Sequence, residues 1–191
     1  QQLLDKLATK APKLVEDLVP GKLPLGTVTK VLQNLLNESV VIRDMKTIVE
    51  TLSDECAKTQ DAEQLTNLVR PKLGRMIVQN LVDTEETLEV MTLDPELEQL
   101  LHNVLQQNQG NQEVILEPGL AEGLFKSLRE STQGVEDQGK PAVLVVSPPI
   151  RSWLSRAAKH RITELTVLSY SEIPDDQAVK VIQTIELNAK N

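Results

Sequence analysis

Residues 30–52 read KVLQNLLNESVVIRDMKTIVETL, and the rest of the chain is best understood from this run. In and just before its first part, Val28, Val31, Leu32, Leu35 and Leu36 recur at intervals of three and four. That spacing gathers them on one face of a helix expected over about 25–37. In and just beyond its last part, Ile48, Leu52 and Cys56 keep a four-residue stride, with Met45 and Val49 widening the stripe. A second helix is therefore expected from Asp44 to about Lys58. Ser39-Val40-Val41-Ile42 lies between them, and its β-branched side chains fit extended backbone better than helix. Asp44 is placed to cap the second helix, its carboxylate accepting from free N–H groups of the first turn. A linker open to water would not carry Val-Val-Ile, so Ile42 is expected to be buried between the helices.

Working outward, the segment before this pair carries Leu3, Leu4, Leu7, Ala11, Leu14, Val15 and Leu18. Proline suits the first turn of a helix and not its interior, so Pro12 predicts one helix ending near Lys10 and another starting at Pro12. Pro20-Gly21 stops the second. The face of Leu3, Leu7, Leu14 and Leu18 reads as an interface or as a surface exposed by truncation. Beyond the pair, Asp61 and Gln64 have capping-box spacing, with Asp61 as cap and Gln64 reaching back. A helix can run from there to about Val82. Pro71 deletes a hydrogen bond in its middle, at a cost of roughly 3 kcal/mol, and Gly74 weakens the same turn, so a kink or a break into two helices is expected. Up to about Thr87 the chain reads as all-helical.

The pattern changes at Leu88. Leu88–Leu93 alternates apolar and polar residues and predicts a short strand. Asp94-Pro95 pairs a cap with a first-turn proline, opening a helix that carries Leu97, Leu100, Leu101, Val104 and Leu105 on one face. Residues 106–112, QQNQGNQ, read as loop. Glu117-Pro118 opens a helix with Leu120, Leu124, Phe125 and Leu128 inward, and Gly134 to Lys140 reads as loop. The run AVLVV at 142–146 predicts a strand covered on both faces. Ser147-Pro148-Pro149 leads into a helix with Ile150, Trp153, Leu154 and Ala157 or Ala158 inward, and Leu165–Ser169 is a second strand. Strand, helix and strand at this spacing imply a parallel, right-handed crossover. Asp175-Asp176 makes a turn, and Val179 to Leu187 alternates as a last strand, expected antiparallel at an edge. The fold class expected is α+β: an N-terminal all-helical subdomain followed by a small α/β subdomain with a mixed sheet.

Composition narrows the function. The chain has 191 residues, a net charge of −8, 40 % hydrophobic residues and 2 % aromatic, so its core must be built from Leu, Val and Ile. An acidic chain argues against a nucleic-acid partner, which needs a net basic footprint. No apolar run approaches the eighteen or so residues of a membrane span, so membrane insertion of this stretch is not expected. The single Cys56 cannot form an internal disulfide, and its spacing puts it on a buried face, which fits a reducing compartment. Gln1, without a Met or a signal-like opening, reads as falling inside a helix, so the chain is expected to be an excised fragment.

Chemistry-bearing residues are few. His102 and His160 with Cys56 are too thin a set for a zinc site, and Cys56 as a core residue is not a nucleophile. No catalytic, cofactor-binding or metal-binding residue is expected. Ser147 stands at the carboxyl end of a buried strand, where α/β folds place ligands and nucleophile elbows, and its helix N-terminus would attract anions. An elbow needs glycines around the serine and this one is followed by prolines, so helix capping is the better reading. Pro118 to Gly123 lacks the preceding strand and the spacing of a phosphate loop. Arg151, Arg156, Lys159 and Arg161, with His160, form a basic stretch in an acidic chain. Arg151 and Lys159 are eight apart and share a face. The stretch reads as a solvated face or as a docking patch for an acidic partner through electrostatic steering.

The run at 30–52, with IRD between two helices, is followed in order by LVRPKLGRMIVQ (68–79), LEPGLAEGL (116–124), PAVLVVSPPIRSWLSR (141–156) and LTVLSYSEIP (165–174). Together these resemble the type III export-gate family (FlhA/InvA/YscV, FHIPEP), its flagellar members most closely, over essentially the whole chain. The family has no catalytic motif, so the resemblance implies a protein that is not an enzyme and needs no cofactor. It implies a membrane-embedded N-terminal half, then a linker and four cytosolic subdomains that assemble as a nine-membered ring below the export channel. On that pattern 1–20 is the tail of the first cytosolic subdomain, 21–87 the helical third and 88–191 the α/β fourth, with hinges expected near Thr84 to Leu88 and at Pro20 to Pro24. Implied partners are flagellar export chaperone–substrate complexes, the export ATPase complex and other export-gate proteins, at the cytoplasmic face of the bacterial inner membrane. The alternative is a small-ligand-binding or hydrolytic α/β domain using the turn at Ser147. Nucleic-acid binding through Arg151 to Arg161 lacks the aromatic interleaving that single strands need.

Overall fold

In the computed structural model, which describes residues 18–19, 21–83, 86–108 and 116–187, the run at 30–52 forms the two expected helices. They are α1 (Leu25–Asn37) and α2 (Met45–Glu55). Val28, Val31 and Leu35 of α1 and Ile48, Val49 and Leu52 of α2 are fully buried, whereas Leu36 is 54 % exposed, so the buried stripe of α1 is narrower than its spacing suggests. The connector is free of helix and strand, but the residue it buries is Val40 (3 % exposed), while Ile42 is only half-buried. The cause is how α1 ends. Ser39 adopts a φ of 58°, its N–H bonds to Leu36 O at 3.0 Å, and the N–H of Val40 reaches Leu35 O at 2.9 Å. This is a Schellman termination, which folds the residue after the left-handed position back onto the last helical turn. Serine pays about 1–2 kcal/mol for that conformation.

Asp44 caps α2 as expected, accepting from the N–H of Thr47 at 3.1 Å. The next helix is α3 (Ala62–Lys72). Asp61 Oδ1 accepts from the N–H of Gln64 at 2.9 Å, but Asp61's own N–H donates to Thr59 Oγ1 at 3.2 Å. Thr59 therefore fills the reciprocal role expected of Gln64. Helix α3 breaks at Leu73, and α4 (Gly74–Gln79) follows. The break falls where Pro71 has removed a donor from the last turn of α3, and Leu73 closes it with an N–H shared between Val69 O and Arg70 O at 3.3 and 3.0 Å. Gly74 does more than weaken this turn. A Cβ there would lie 2.2 Å from the carbonyl oxygen of Glu172, so the backbone approach demands glycine.

The four strands are β1 (Leu88–Leu93), β2 (Ala142–Val146), β3 (Leu165–Ser169) and β4 (Val179–Ile185). They form one sheet in the order β3-β2-β1-β4, and every neighbouring pair is parallel. The fold is α+β, but the sheet is not mixed: β4 lies at an edge as expected yet runs parallel to β1, with Val90 opposite Val181 and Leu93 opposite Ile185. A chain crossing the sheet at the end where β3 leaves would enter β4 antiparallel. Residues 170–178 instead bring it to the far edge and back to the end where the other strands begin, so that β4 runs parallel. Ile182 is the extra residue of a bulge, since Val181 faces Val90 and Gln183 faces Met91. All five residues of β2 are buried, as its continuous apolar run predicts.

Three helices join this sheet: α5 (Pro95–Gln107), α6 (Pro118–Glu136) and α7 (Pro148–Ala158). Asp94 caps α5 by accepting from the N–H groups of Glu96 and Leu97 at 2.9 and 3.3 Å. Leu97 and Leu101 of α5, Leu124 and Leu128 of α6, and Ile150 and Leu154 of α7 share one core with Met91, Leu144 and Val167 of the sheet. Leu100 stays 39 % exposed, off the stripe expected for α5. Helix α6 runs through Gly134 to Glu136, and Gln106 and Gln107 belong to α5, so both expected loops are shorter than read.

The chain divides into two compact units, Gln1–Asn80 with Glu172–Pro174, and Leu81–Ser171 with Asp175–Asn191. The stretch 172–174, which the sequence assigns to the second half, thus groups with the first. The expected helices before Leu18, Thr84 of the expected hinge, and residues 109–112 of the polar loop lie outside the described residues.

Candidate docking surface

The turn from β2 into α7 is the place where an α/β fold would hold a ligand, and its chemistry is already used. Ser147 occupies the N-cap position, but its side chain makes no capping bond, contrary to expectation. Its backbone N–H instead donates to Glu98 Oε1 of α5 at 2.6 Å. Pro148 and Pro149 have no N–H to offer, and the N–H of Ile150 bonds to Ser147 O at 3.0 Å. The donors that make a helix N-terminus an anion site are therefore either absent or engaged.

Glu98 also meets Tyr170, which follows β3. Burial, then the charge of Glu98 and the hydrogen bond to it, push the Tyr170 hydroxyl above the ordinary phenol range, so Tyr170 stays a neutral donor to Glu98. A serine nucleophile would need a base on its hydroxyl, whereas the carboxylate here is held by the serine's main chain. One groove on this unit runs along α5 at Glu96, Gln99, Leu100 and Asn103, and another lies between α6 and β4. Neither is lined by Ser147.

The basic stretch is divided by the fold. Arg151 is 2 % exposed, on the side of α7 that carries the buried Ile150 and Leu154, so it does not share a solvated face with Lys159. Arg156, Lys159, His160 and Arg161 are exposed. The Arg161 guanidinium sits 4.6 Å from the centroid of the Phe125 ring, a cation–π contact that ties the end of the stretch to α6. The arginine and lysine side chains of the stretch that reach solvent are thus Arg156, Lys159 and Arg161. Nothing in the sequence signalled the Arg161–Phe125 pair, because Phe125 reads simply as core.

The sequence reading also missed a buried ion cluster in the first unit. Arg70, 2 % exposed, places Nη1 2.6 Å from Glu38 Oε2 and Nη2 2.6 Å from Glu172 Oε2, with Nε 3.1 Å from the same oxygen of Glu172. Cys56, also in this unit, is buried and its thiol donates to Ser53 O at 3.2 Å. His102 on α5 is half-buried. Among the described residues no group of three His, Cys, Asp or Glu side chains could hold a metal ion, and no helix is long and apolar enough to cross a membrane.

This α+β architecture, with helices first and a parallel α/β unit after them, is shared with solved ring and complex structures. The nonameric EPEC SctV-C matches with a TM-score of 0.84 and 26 % identity, covering 96 % of this chain and 55 % of that one. Chlamydia pneumoniae CdsV in its complex with CdsO matches with a TM-score of 0.87 and 25 % identity, over 97 % of this chain and 54 % of that one. The FHIPEP family model matches residues 1–178, and the flagellar biosynthesis protein FlhA of Escherichia coli (strain K12) is 44 % identical over 185 residues, 97 % of this chain and 26 % of that protein. The chain belongs to the FHIPEP family, as the runs quoted above indicate. It spans about a quarter of the length of the curated relatives it matches.

Proposed function

We propose that this chain is a docking and ring-forming portion of a flagellar type III protein-export gate, at the cytoplasmic face of the bacterial inner membrane. The observation that carries the reading is the 44 % identity to a flagellar biosynthesis protein over 97 % of the chain. The nonameric state of SctV-C supports assembly into a ring, and the CdsV and CdsO complex supports contact with a further component of the apparatus, which we assign to the export ATPase complex. In this reading 1–20 closes the first cytosolic subdomain, 21–87 is the third and 88–191 the fourth. Chaperone–substrate complexes dock on the assembled ring without chemistry by this chain. Arg156, Lys159 and Arg161 offer acidic partners an electrostatic landing face.

The test is calorimetric titration of flagellar chaperone–substrate complexes into this chain and into the complete cytosolic region, at two salt concentrations. Binding by this chain that weakens with salt and with Arg156→Glu plus Lys159→Glu is the expected result. Binding only by the complete region would remove the docking role from these residues.

A further inference from the structure

The export reading leaves the outer edge of β4 without a role. The strand order ends at β4, and five of its seven residues are exposed, Ile182 being half-buried and Ile185 buried. The N–H of Leu88 bonds to Ala178 O at 2.9 Å and that of Asp94 to Ile185 O at 2.8 Å. In a parallel ladder alternate residues face the same neighbour. Counting from those two bonds, the peptide groups of Val179, Val181 and Thr184 face away from β1. Among the described residues they form an unpaired row of donors and acceptors, along an edge that also exposes apolar side chains, with Val179 43 % and Val181 54 % exposed.

The two faces of this edge differ in chemistry. Val181 and Gln183 pair with consecutive residues of β1, and consecutive residues of a strand point to opposite faces. Gln183 lies on the side of α6, where its amide donates to Ser131 Oγ at 2.8 Å. That side opens into a groove of about 480 Å³ lined by Glu130, Ser131, Gln183, Thr184 and Glu186 among others. Glu130 keeps 60 % of its side chain in solvent with only a 3.9 Å contact to Lys126, and Glu186 is exposed. On the α6 side the first side chain of β4 is Lys180, held 3.2 Å from Glu89, and beyond it a strand laid beside β4 would meet the two carboxylates of this groove. With its other set of alternate side chains it would meet valines.

We infer that the β4 edge is a strand-addition site for an extended partner segment in which basic and apolar residues alternate. Main-chain bonds to Val179, Val181 and Thr184 supply the affinity, and the alternation supplies the register. A second copy of this chain fits less well. It brings its own net charge of −8, and the bulge at Ile182 twists the edge away from long flat pairing.

A short peptide alternating lysine and valine is the probe, titrated into the chain with amide exchange read by NMR. The expected result is binding that slows exchange at Val179, Val181 and Thr184. Methylating alternate peptide nitrogens on the edge-facing side abolishes it, and a glutamate-for-lysine peptide does not bind. Glu130→Lys with Glu186→Lys, both exposed and outside the sheet ladder, should weaken the lysine peptide by roughly tenfold with the thermal midpoint unchanged. The inference is overturned if the methylated or acidic peptide binds equally, if the double variant binds as tightly, or if the slowed amides lie elsewhere. Slowed exchange at β4 that rises with protein concentration in the absence of peptide would assign the edge to a second copy instead.

Discussion

Arg70 shows how one side chain can set the conformation of a stretch a hundred residues away. Its guanidinium, 2 % exposed, bridges Glu38 and the equally buried Glu172, and Gly74 lets the backbone of Glu172 approach. Two carboxylates on one buried cation are stable only while the cation is there, because an uncompensated buried charge costs several kcal/mol. Arg70→Met should lose about 3–5 kcal/mol in urea unfolding followed by circular dichroism. Arg70→Lys should recover part of the loss, since one ammonium cannot reproduce the forked contact. A neutral Arg70→Met would mean the cluster adds nothing. Glu89 poses the opposite case at the surface. The hydrogen bond from Lys140, then that from Lys180, holds its carboxyl below the ordinary carboxylate range. With the folded value depressed, this contribution to stability is present above the ordinary carboxylate range and is lost as pH falls through the lower folded value. Side-chain NMR titration should place Glu89 below the ordinary carboxylate range, and Lys140→Ala should move it upward. An unchanged Glu89 in that variant would discard Lys140 as the cause.

At the scale of elements, what was legible in the sequence was what depends on neighbours in the chain. Asp44, Asp61 and Asp94 accept from N–H groups two or three residues ahead, and these local bonds mark helix starts without help from the rest of the fold. The same holds for β1, read from its alternation, and for β2 and β3, read as strands around a helix, all three of which coincide with the strands found. The direction of β4 was not legible, because alternation along a strand is the same in parallel and antiparallel pairing and only the path of residues 170–178 decides. The burial of Val40 in place of Ile42 turned on one positive φ at Ser39, which serine does not advertise. The Ser147 turn failed as a sequence inference for a related reason: its partner, Glu98, comes from α5. Because Tyr170 is the only tyrosine, this turn has a spectroscopic handle. Glu98→Gln should lower the pH at which phenolate absorbance appears, since the charge of Glu98 helps to raise it. The value should remain above that of a free tyrosine, because burial is the larger cause. An unshifted titration would show that Glu98 and Tyr170 are not in contact in solution.

For the whole molecule, family membership was legible because five long runs in fixed order are hard to match by chance, while the contact surface was not. Which cations of the basic stretch face solvent depends on the packing of α7, and that packing removed Arg151 from the set. Net charge then governs how such surfaces work. At pH 7 the chain carries −8, and it reaches neutrality near pH 4.9. Copies that repel at pH 7 should associate as that charge is titrated away, with exposed Leu36 and Val181, each 54 % exposed, available to stick. Light scattering should therefore rise as pH falls from 7 toward about 4.9, where the net charge vanishes, and fall again below it for as long as the chain stays folded. A maximum at pH 7 would point to specific self-assembly against the charge. The same field separates the two surfaces. An acidic partner is repelled at long range and feels Arg156, Lys159 and Arg161 only within about a Debye length, about 8–10 Å at ordinary salt. A basic strand is drawn in by the whole molecule. Its association rate at β4 should fall steeply with added salt, whereas salt should slow the approach of an acidic partner far less, because the long-range repulsion and the local attraction are screened together.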